Sequence, residues 1–517
     1  AMRSFSPLLP LLLLPFADAF LPCPSSSFIM GSSWRHDSCP LGPLPLLVSS
    51  SRILQRSERM RLRMQLEEDA VKRVKESVRE IIGTNNGLSQ QDRAAEVFGG
   101  NVASRPWEAL FRGMGTSETF RKEAWAKQPF IVNLDDEESG AFVRGCFTME
   151  HVRKHVGEYP TAYVAQGALS PDGKGGWYMR KVGESAAPPG EVAMSKFEDV
   201  QTSLKSGTVV LNSAGAYISP LAAISLATLE GSLLPVGLNL YITNPNMKLS
   251  APPHTDKQDV FVLQSQGAKH WRVFAPPEPS KTITSDPFAR GKGPDACTVE
   301  ELGEPLIETV LKAGEMLYVP AGFPHTTDTA SEGQEEASVH LTIGLDTHIW
   351  GLTYAFLRQA ALQRAGEKAT FRVRGADRDA TALGVGEYMA LHTPLPFGFL
   401  GPEGMTEKVE GERGGRARQD VESVTKHVAR ECARKMRLAE PDRWEGTDED
   451  EMVTRLHLEE ATGRMLVHYK KVMAIQRRMY LDGAIGISPA PNSLVRVQHY
   501  MALLDQVMEE VIQWSSA

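Results

Sequence analysis

The sequence predicts an α+β protein, with strands through the middle of the chain and helices gathered toward its end. From 160 to 325, short apolar and β-branched segments (TAYVAQG, TVVLNSAG, LNLYIT, DVFVLQ, HWRVF, GEMLYVP) alternate with turns rich in Gly, Pro and Asn. After Trp350 the pattern changes to apolar residues at helical spacing with charge on the opposite face. A chain of 517 residues is long enough for two or three domains and a substantial core.

Residues 1–19 read as a secretory signal peptide. Arg3 forms a short basic region, 8–14 the apolar stretch, and Ala17-Asp18-Ala19 a small-residue cleavage site. The segment is too short and too Pro-rich to span a bilayer, and no later stretch is long and apolar enough, so the mature form is expected to be free of the membrane. Residues 20–64 are rich in Ser, Pro and Arg and poor in acids, like an organelle transit peptide. The two segments together resemble the bipartite plastid presequence of algae with secondary plastids, and plastid delivery is the expectation. A secreted protein with a disordered start is the alternative.

The formal net charge is −8, and residues 1–64 hold seven Arg against Asp18, Asp37 and Glu58, a net of +4. The remaining chain therefore carries −12. An acidic body argues against direct nucleic-acid binding and is compatible with capture of a basic protein. Outside the presequence, Cys146, Cys297 and Cys432 are widely spaced, which suggests neither a disulfide framework nor a structural zinc.

Residues 65–103 read as one amphipathic helix (65–84) followed by the breaks Asn85-Asn86-Gly87 and Gly99-Gly100-Asn101. Further on, 221–229 has helical spacing. DVFVLQ and HWRVF are expected to pair as a hairpin with Gly267 in its turn. The Pro-rich stretch 275–297 reads either as an insertion-like loop at a barrel rim or as a disordered spacer. Helices are expected over 352–365, 420–437, 451–480 and 493–514, with a Gly- and charge-rich linker over 401–419. The acidic run 448–451 suits a solvated helix start better than a metal cluster.

The chemistry concentrates in 251–274, APPHTDKQDVFVLQSQGAKHWRVF, and in the later His325. Residues i and i+2 of an extended strand share a face, so His254 and Asp256 can reach one metal. The bend Ala321, Gly322, Pro324 can swing His325 toward the same point. Two imidazoles and one carboxylate are the ligand set of a non-haem Fe(II) facial triad, which leaves positions open for a co-substrate and O₂. A surface turn with a solvated His and Asp is the bland alternative.

Several motifs in one order make the stretch recognisable: Tyr241-Ile242-Thr243, Pro252-Pro253-His254-x-Asp256, Gly267-x-Lys269-x-Trp271-Arg272, and Gly314-Glu315-x-Leu317-Tyr318-Val319-Pro320-x-Gly322-Phe323-x-His325. With His340-Leu341-Thr342 and Trp350-Gly351 downstream and 107–132 upstream, the chain from about 105 to 357 resembles the JmjC-type ribosomal oxygenases, which include nucleolar histidyl-hydroxylases and a bacterial arginyl-hydroxylase. The resemblance implies a JmjC/cupin-like double-stranded β-helix with flanking helices, occupying 104–357, and a helical C-terminal region over 358–517. It implies iron on His254, Asp256 and His325, and Lys269 holding the distal carboxylate of 2-oxoglutarate. Asn239 and Tyr241 match positions lining the substrate and co-substrate pocket, and Thr342 is placed with them as a co-substrate contact.

By the same resemblance the chain is a 2-oxoglutarate-dependent dioxygenase hydroxylating a His or Arg of a basic, ribosomal protein. A methyl-lysine demethylase and a non-catalytic cupin-like binding protein are the alternatives. A homodimer is expected from the family's helical dimerisation segment, although its winged-helix part finds no match by residue. Nucleus or nucleolus, as in eukaryotic members, is the alternative address. The chain departs from the family pattern at Thr255, Lys257 and Gly344 and by one extra residue between Tyr241 and His254, which touches the target side chain and not the metal set.

Overall fold

The computed structural model describes residues 107, 110, 111, 114, 120–132, 141–158, 163–166, 178–181, 196–276, 287, 288, 290, 291, 297–330, 335–367, 385–396, 399, 414–485 and 492–516. The signal and transit segments, the expected helix over 65–84 and the breaks after it lie outside these residues. Among the described residues no helix is long and apolar enough to cross a membrane.

The described strands, in chain order, are β1 (Phe130–Val132), β2 (Tyr163–Gln166), β3 (Tyr178–Lys181), β4 (Thr208–Leu211), β5 (Val236–Thr243) and β6 (Ala251–His254). They continue with β7 (Asp259–Gln266), β8 (Ala268–Val273), β9 (Ile307–Lys312), β10 (Met316–Val319), β11 (His325–Asp328) and β12 (Ser338–Leu345). A larger sheet runs β1-β10-β7-β12-β5-β4-β2-β3 and a smaller one β6-β11-β8-β9, with every pairing antiparallel. From β5 to β12 the chain passes back and forth between the two sheets, the winding of a double-stranded β-helix.

That winding corrects the expected hairpin. DVFVLQ and HWRVF lie in β7 and β8, which belong to different sheets. Gly267 takes the left-handed conformation (φ 65°) at the corner, and a Cβ there would stand 2.6 Å from the Ala337 carbonyl oxygen. The chain therefore changes layer at this glycine instead of reversing within one sheet. The expectation counted local turn chemistry alone, whereas β7 is claimed on both sides by distant partners, β10 and β12.

The period-2 pattern sorts the larger sheet's side chains by face. Leu238, Leu240, Ile242, Phe261, Leu263, Leu341 and Ile343 point into the main core with the helices. On the other face Val260, Val262, Leu317 and Val319 meet Trp271, Val273 and Leu311 of the smaller sheet in a separate apolar cluster. Farther along that inner face the residues turn polar: Tyr241, Thr243, His340 and Thr342.

Helices cover the outer face. Ser219–Ser232 starts with Pro220 in its first turn and is buried on nearly every side, which its mostly apolar or small residues permit. Tyr354–Arg364 is capped by the Thr353 side chain, which accepts from the Phe356 amide. The helix Gly414–Ala439 begins inside the expected linker, so that linker is shorter than composition suggests. The pattern over 451–480 is two helices, Glu449–Arg455 and Leu458–Ala484, divided where His457 adopts φ 49°. Asp448 caps the first by accepting from the Glu451 amide, so the acidic run is a helix start.

The helix Leu458–Ala484 is bonded to the sheet end and not merely appended to it, and Asn492–Ser516 follows it. Gln476 Oε1 accepts from the Val236 amide (3.0 Å), the Tyr480 hydroxyl donates to the Val236 carbonyl (2.7 Å), and Tyr469 donates to the Leu233 carbonyl (2.5 Å). Both backbone groups at the start of β5 are thus satisfied by one helix.

Candidate metal centre

β6 is an edge strand, which is why Pro252 and Pro253 fit within it. Its partner β11 places His325 directly opposite His254, so the antiparallel register brings both imidazoles to one face. Asp256 comes from the turn beyond β6 and not from the strand itself, which ends at His254. The Gly322 amide donates to the Asp256 carbonyl (2.9 Å) and ties this turn to the bend before His325. One ligating atom from each of His254, Asp256 and His325 lies within 4.8 Å of the others. Asp256 Oδ2 stands 3.9 Å from His254 Nε2 and 3.5 Å from His325 Nε2.

Both imidazoles are held in one tautomer. His254 Nδ1 faces the Pro252 carbonyl at 2.8 Å and His325 Nδ1 the Phe323 carbonyl at 3.0 Å. A carbonyl only accepts, so each Nδ1 carries a hydrogen, and each Nε2, the nitrogen facing Asp256, is the one available to a metal. Two imidazole nitrogens and a carboxylate oxygen converging on one point make a donor set that fits a divalent transition metal.

The described residues of the Pro-rich loop pack beside the centre, with Gly291 against the Pro253 carbonyl and His254. Thr255 Oγ1 donates to the Pro287 carbonyl (3.0 Å) and accepts from the Arg290 amide (2.9 Å), while the Thr255 amide donates to the Arg290 carbonyl (3.1 Å). The described part of this loop is therefore a clamp on the residue between two site side chains, and not a spacer. Thr255→Val is expected to leave a buried amide and carbonyl unpaired and to cost about 1–3 kcal/mol, read from denaturant melting.

A small cavity of about 30 Å³ opens beside the three residues. It is lined by His254, Asp256 and His325 and, among the other expected residues, by Lys269, Tyr241 and Thr342. Asn239 lies two positions before Tyr241 on β5, is not in the lining, and accepts from the Ser213 amide (2.8 Å). Lys269 is only 2 % exposed, and its Nζ donates to Thr243 Oγ1 at 3.0 Å. Burial pushes the ammonium down to about 7, against the opposing pull of Asp328. Thr243 Oγ1 in turn meets Thr208 Oγ1 (2.9 Å), so a lysine and two hydroxyls cluster at one end of the cavity.

Trp271 and His340, absent from the sequence-derived site, line the same cavity. Trp271 stacks on His325 (5.8 Å between centroids), and His340 stacks on Tyr241 (4.9 Å, 5° between planes), its partner across the β12–β5 register. Burial, reinforced by Lys269, holds His340 well below the ordinary histidine range, so it is neutral. Trp271 Nε1 and His340 Nδ1 are buried without a hydrogen-bond partner among the described residues. Polar atoms left open beside a buried ammonium suit a polar anionic ligand. Polar residues at alternate positions of β12 (Ser338, His340, Thr342) were the available signal in the sequence.

Residues 223–351 match the family described as "JmjC domain". This chain carries a JmjC domain. It is similar to Ribosomal oxygenase 1 of Gallus gallus (40% identical over 133 residues, 26% of this chain and 20% of the relative). Against Ribosomal oxygenase 1 of Rattus norvegicus it is 28% identical over 317 residues, 58% of this chain and 46% of the relative. The Aedes aegypti protein named bifunctional lysine-specific demethylase and histidyl-hydroxylase NO66 is 36% identical over 132 residues, 25% of this chain and 19% of the relative. The JmjC chain thus spans from about a fifth to about half the length of these relatives. Among solved structures, the Escherichia coli ribosomal oxygenase YcfD aligns over 54% of this chain and 68% of its own, at 19% identity and a TM-score of 0.29. A YcfD structure in complex with cobalt and 2-oxoglutarate aligns over 51% and 61%, at 18% identity and a TM-score of 0.28.

Proposed function

We propose that this JmjC chain is an Fe(II)/2-oxoglutarate-dependent dioxygenase that hydroxylates a His or Arg side chain of a ribosomal protein. The observation that carries the reading is the convergence of His254, Asp256 and His325 within 4.8 Å in a cavity that also contains the buried Lys269. The names of the relatives support the ribosomal substrate.

Bound iron, with 2-oxoglutarate and O₂, supplies the oxidation that places a hydroxyl on an unactivated C–H bond. The residues of the chain provide the rest. His254 and His325 are held with Nε2 toward Asp256, so no imidazole has to reorient when the metal arrives. Asp256 neutralises one of the two positive charges. Lys269 and the Thr243 hydroxyl receive the distal carboxylate of 2-oxoglutarate, while Trp271 and Val262 give that end of the cavity apolar walls.

Lys269 makes this binding depend on pH. In the empty site its pKa is about 7, and a carboxylate beside it raises that value. The ammonium form, which binds, predominates below pH 7, is half present near it, and is lost as pH rises further. Affinity for 2-oxoglutarate is therefore expected to fall above pH 7, and binding at pH 8 to take up a proton. Calorimetry in buffers of different ionisation enthalpy measures the uptake directly, and a pH-independent affinity between 6.5 and 8.5 contradicts the role of Lys269.

The function is tested by incubating the full chain with Fe(II), 2-oxoglutarate and dissociated ribosomal proteins. Succinate release together with one added oxygen on a His or Arg, both absent in His254→Ala, is the expected result. Formaldehyde release without an added oxygen indicates demethylation, and succinate equal to the His254→Ala background indicates a binding protein. Delivery to a plastid is a separate part of the proposal, tested by imaging a fusion to residues 1–64 in an alga with secondary plastids.

A further inference from the structure

At the other end of the larger sheet's inner face lies a second polar group. β5 and β12 run side by side with Thr243 opposite Ser338 at one end and Gly237 opposite Gly344 toward the other. Lys269 binds Thr243 at the first end. Gly237 and Gly344 each lie two positions beyond a residue discussed above, Asn239 and Thr342, and so face the same way. What occupies the space over these glycines is the side chain of Asp346. A Cβ on Gly237 would stand 3.0 Å from Asp346 Oδ2, and one on Gly344 would stand 3.0 Å from Asp346 Oδ1 and 2.6 Å from Gln258 Nε2. Gln258 Nε2 donates to Asp346 Oδ1 at 2.5 Å. This gives a physical reason for one departure from the family pattern: a side chain at Gly344 would displace the Gln258–Asp346 pair.

The pair is close to the metal centre. Gln258 is two residues from Asp256, so their Cα atoms are at most roughly 7 Å apart. Thr342, two residues from Gly344, lines the metal cavity. Asp346 is only 6 % exposed, and among the described residues no Lys, Arg or His forms an ion pair with it. Burial pushes its carboxyl up to about 7, with the Gln258 hydrogen bond the one opposing influence. A carboxylate desolvated beside a reaction centre, oriented by one amide and lacking a cation, is arranged for a cation that arrives from outside.

We propose that Asp346, oriented by Gln258 and seated over Gly237 and Gly344, is a specificity-determining residue that receives a cationic, N–H-donating side chain of the polypeptide substrate. A guanidinium suits the site best. It stays charged when desolvated and offers several N–H groups in a plane, so one can meet the carboxylate while the aliphatic stem lies toward the metal. This inference rests on the oxygenase reading, since it takes the ligand to be the side chain presented for oxidation.

The test uses the full chain and two probes, N-acetylarginine amide and its neutral isostere N-acetylcitrulline amide. Saturation-transfer NMR on the metal-free protein reads the preference, and broadening of probe signals by Mn(II) reads proximity to the metal centre. The arginine probe is expected to bind at least about tenfold more tightly than the citrulline probe, the low end for a buried charge pair. That preference is expected to vanish in Asp346→Asn and to shrink in Gln258→Leu, with Mn(II) broadening of the arginine probe in the wild-type chain. Equal affinity of the two probes in the wild-type chain, or a preference that survives in Asp346→Asn, overturns the inference, and the first outcome requires no variant to fold. A preference without Mn(II) broadening also overturns it, by placing the cation away from the centre. If Mn(II) itself does not bind, by electron paramagnetic resonance, it is the oxygenase reading that fails.

Discussion

Lys269→Met is expected to weaken 2-oxoglutarate binding by about 100-fold or more, because a dicarboxylate is then buried without its cation, a loss on the order of 3–5 kcal/mol. The same change is expected to leave the empty protein at least as stable as the wild type. Burial already holds the ammonium down to about 7, so an apolar side chain of similar length removes a desolvated charge from the interior. The two measurements, calorimetric titration and thermal melting, therefore move in opposite directions. A variant that loses both affinity and stability indicates that Lys269 serves the fold and not the co-substrate. Lys269→Arg is not expected to rescue binding, since a planar guanidinium needs room in a wall where Lys269 is 2 % exposed.

Asp256→Ala is expected to reduce affinity for Mn(II) or Fe(II) by more than about 100-fold, beyond the 10–100-fold typical when a partner of a ligand is removed. Succinate release falls with it. The side chain is 20% exposed and comes from a turn, so the metal-free variant should melt close to the wild type. Retention of tight metal binding would show that the carboxylate is not a ligand and would leave only a pair of histidines, which removes the basis for the proposed oxidation. Electron paramagnetic resonance of Mn(II) reads the outcome without any need for turnover.

How much of this the sequence disclosed depends on how local each signal is. The strands were legible because each signal is written along its own segment, period-2 alternation in LNLYIT and an unbroken apolar, β-branched run in DVFVLQ. The ligand trio was legible because His254, Asp256 and His325 sit in motifs of fixed spacing. The path of the chain between layers was not, since Gly267 suits a hairpin and a corner equally and only the distant partners of β7 decide. Thr255 was read as a bare departure, yet its hydroxyl fastens the Pro-rich loop some thirty residues away. The division at His457 was missed because amphipathic spacing continues across it, and a single left-handed residue leaves no mark on hydrophobic periodicity. Asp346 was missed for a related reason: its side chain fills the space left over two glycines from separate strands, a property of the assembled sheet.

The bonds from Gln476 and Tyr480 to Val236 set the order in which the molecule can become competent. A nascent chain that has produced every ligand but not yet the helix Leu458–Ala484 leaves the amide and carbonyl at the start of β5 without these two partners, a deficit of about 1–3 kcal/mol apiece if water cannot reach them. The start of the strand bearing Tyr241 is then held by its pairing with β12 alone. The footing of a strand that carries a cavity residue is thus supplied by side chains 240 and 244 positions farther along the chain.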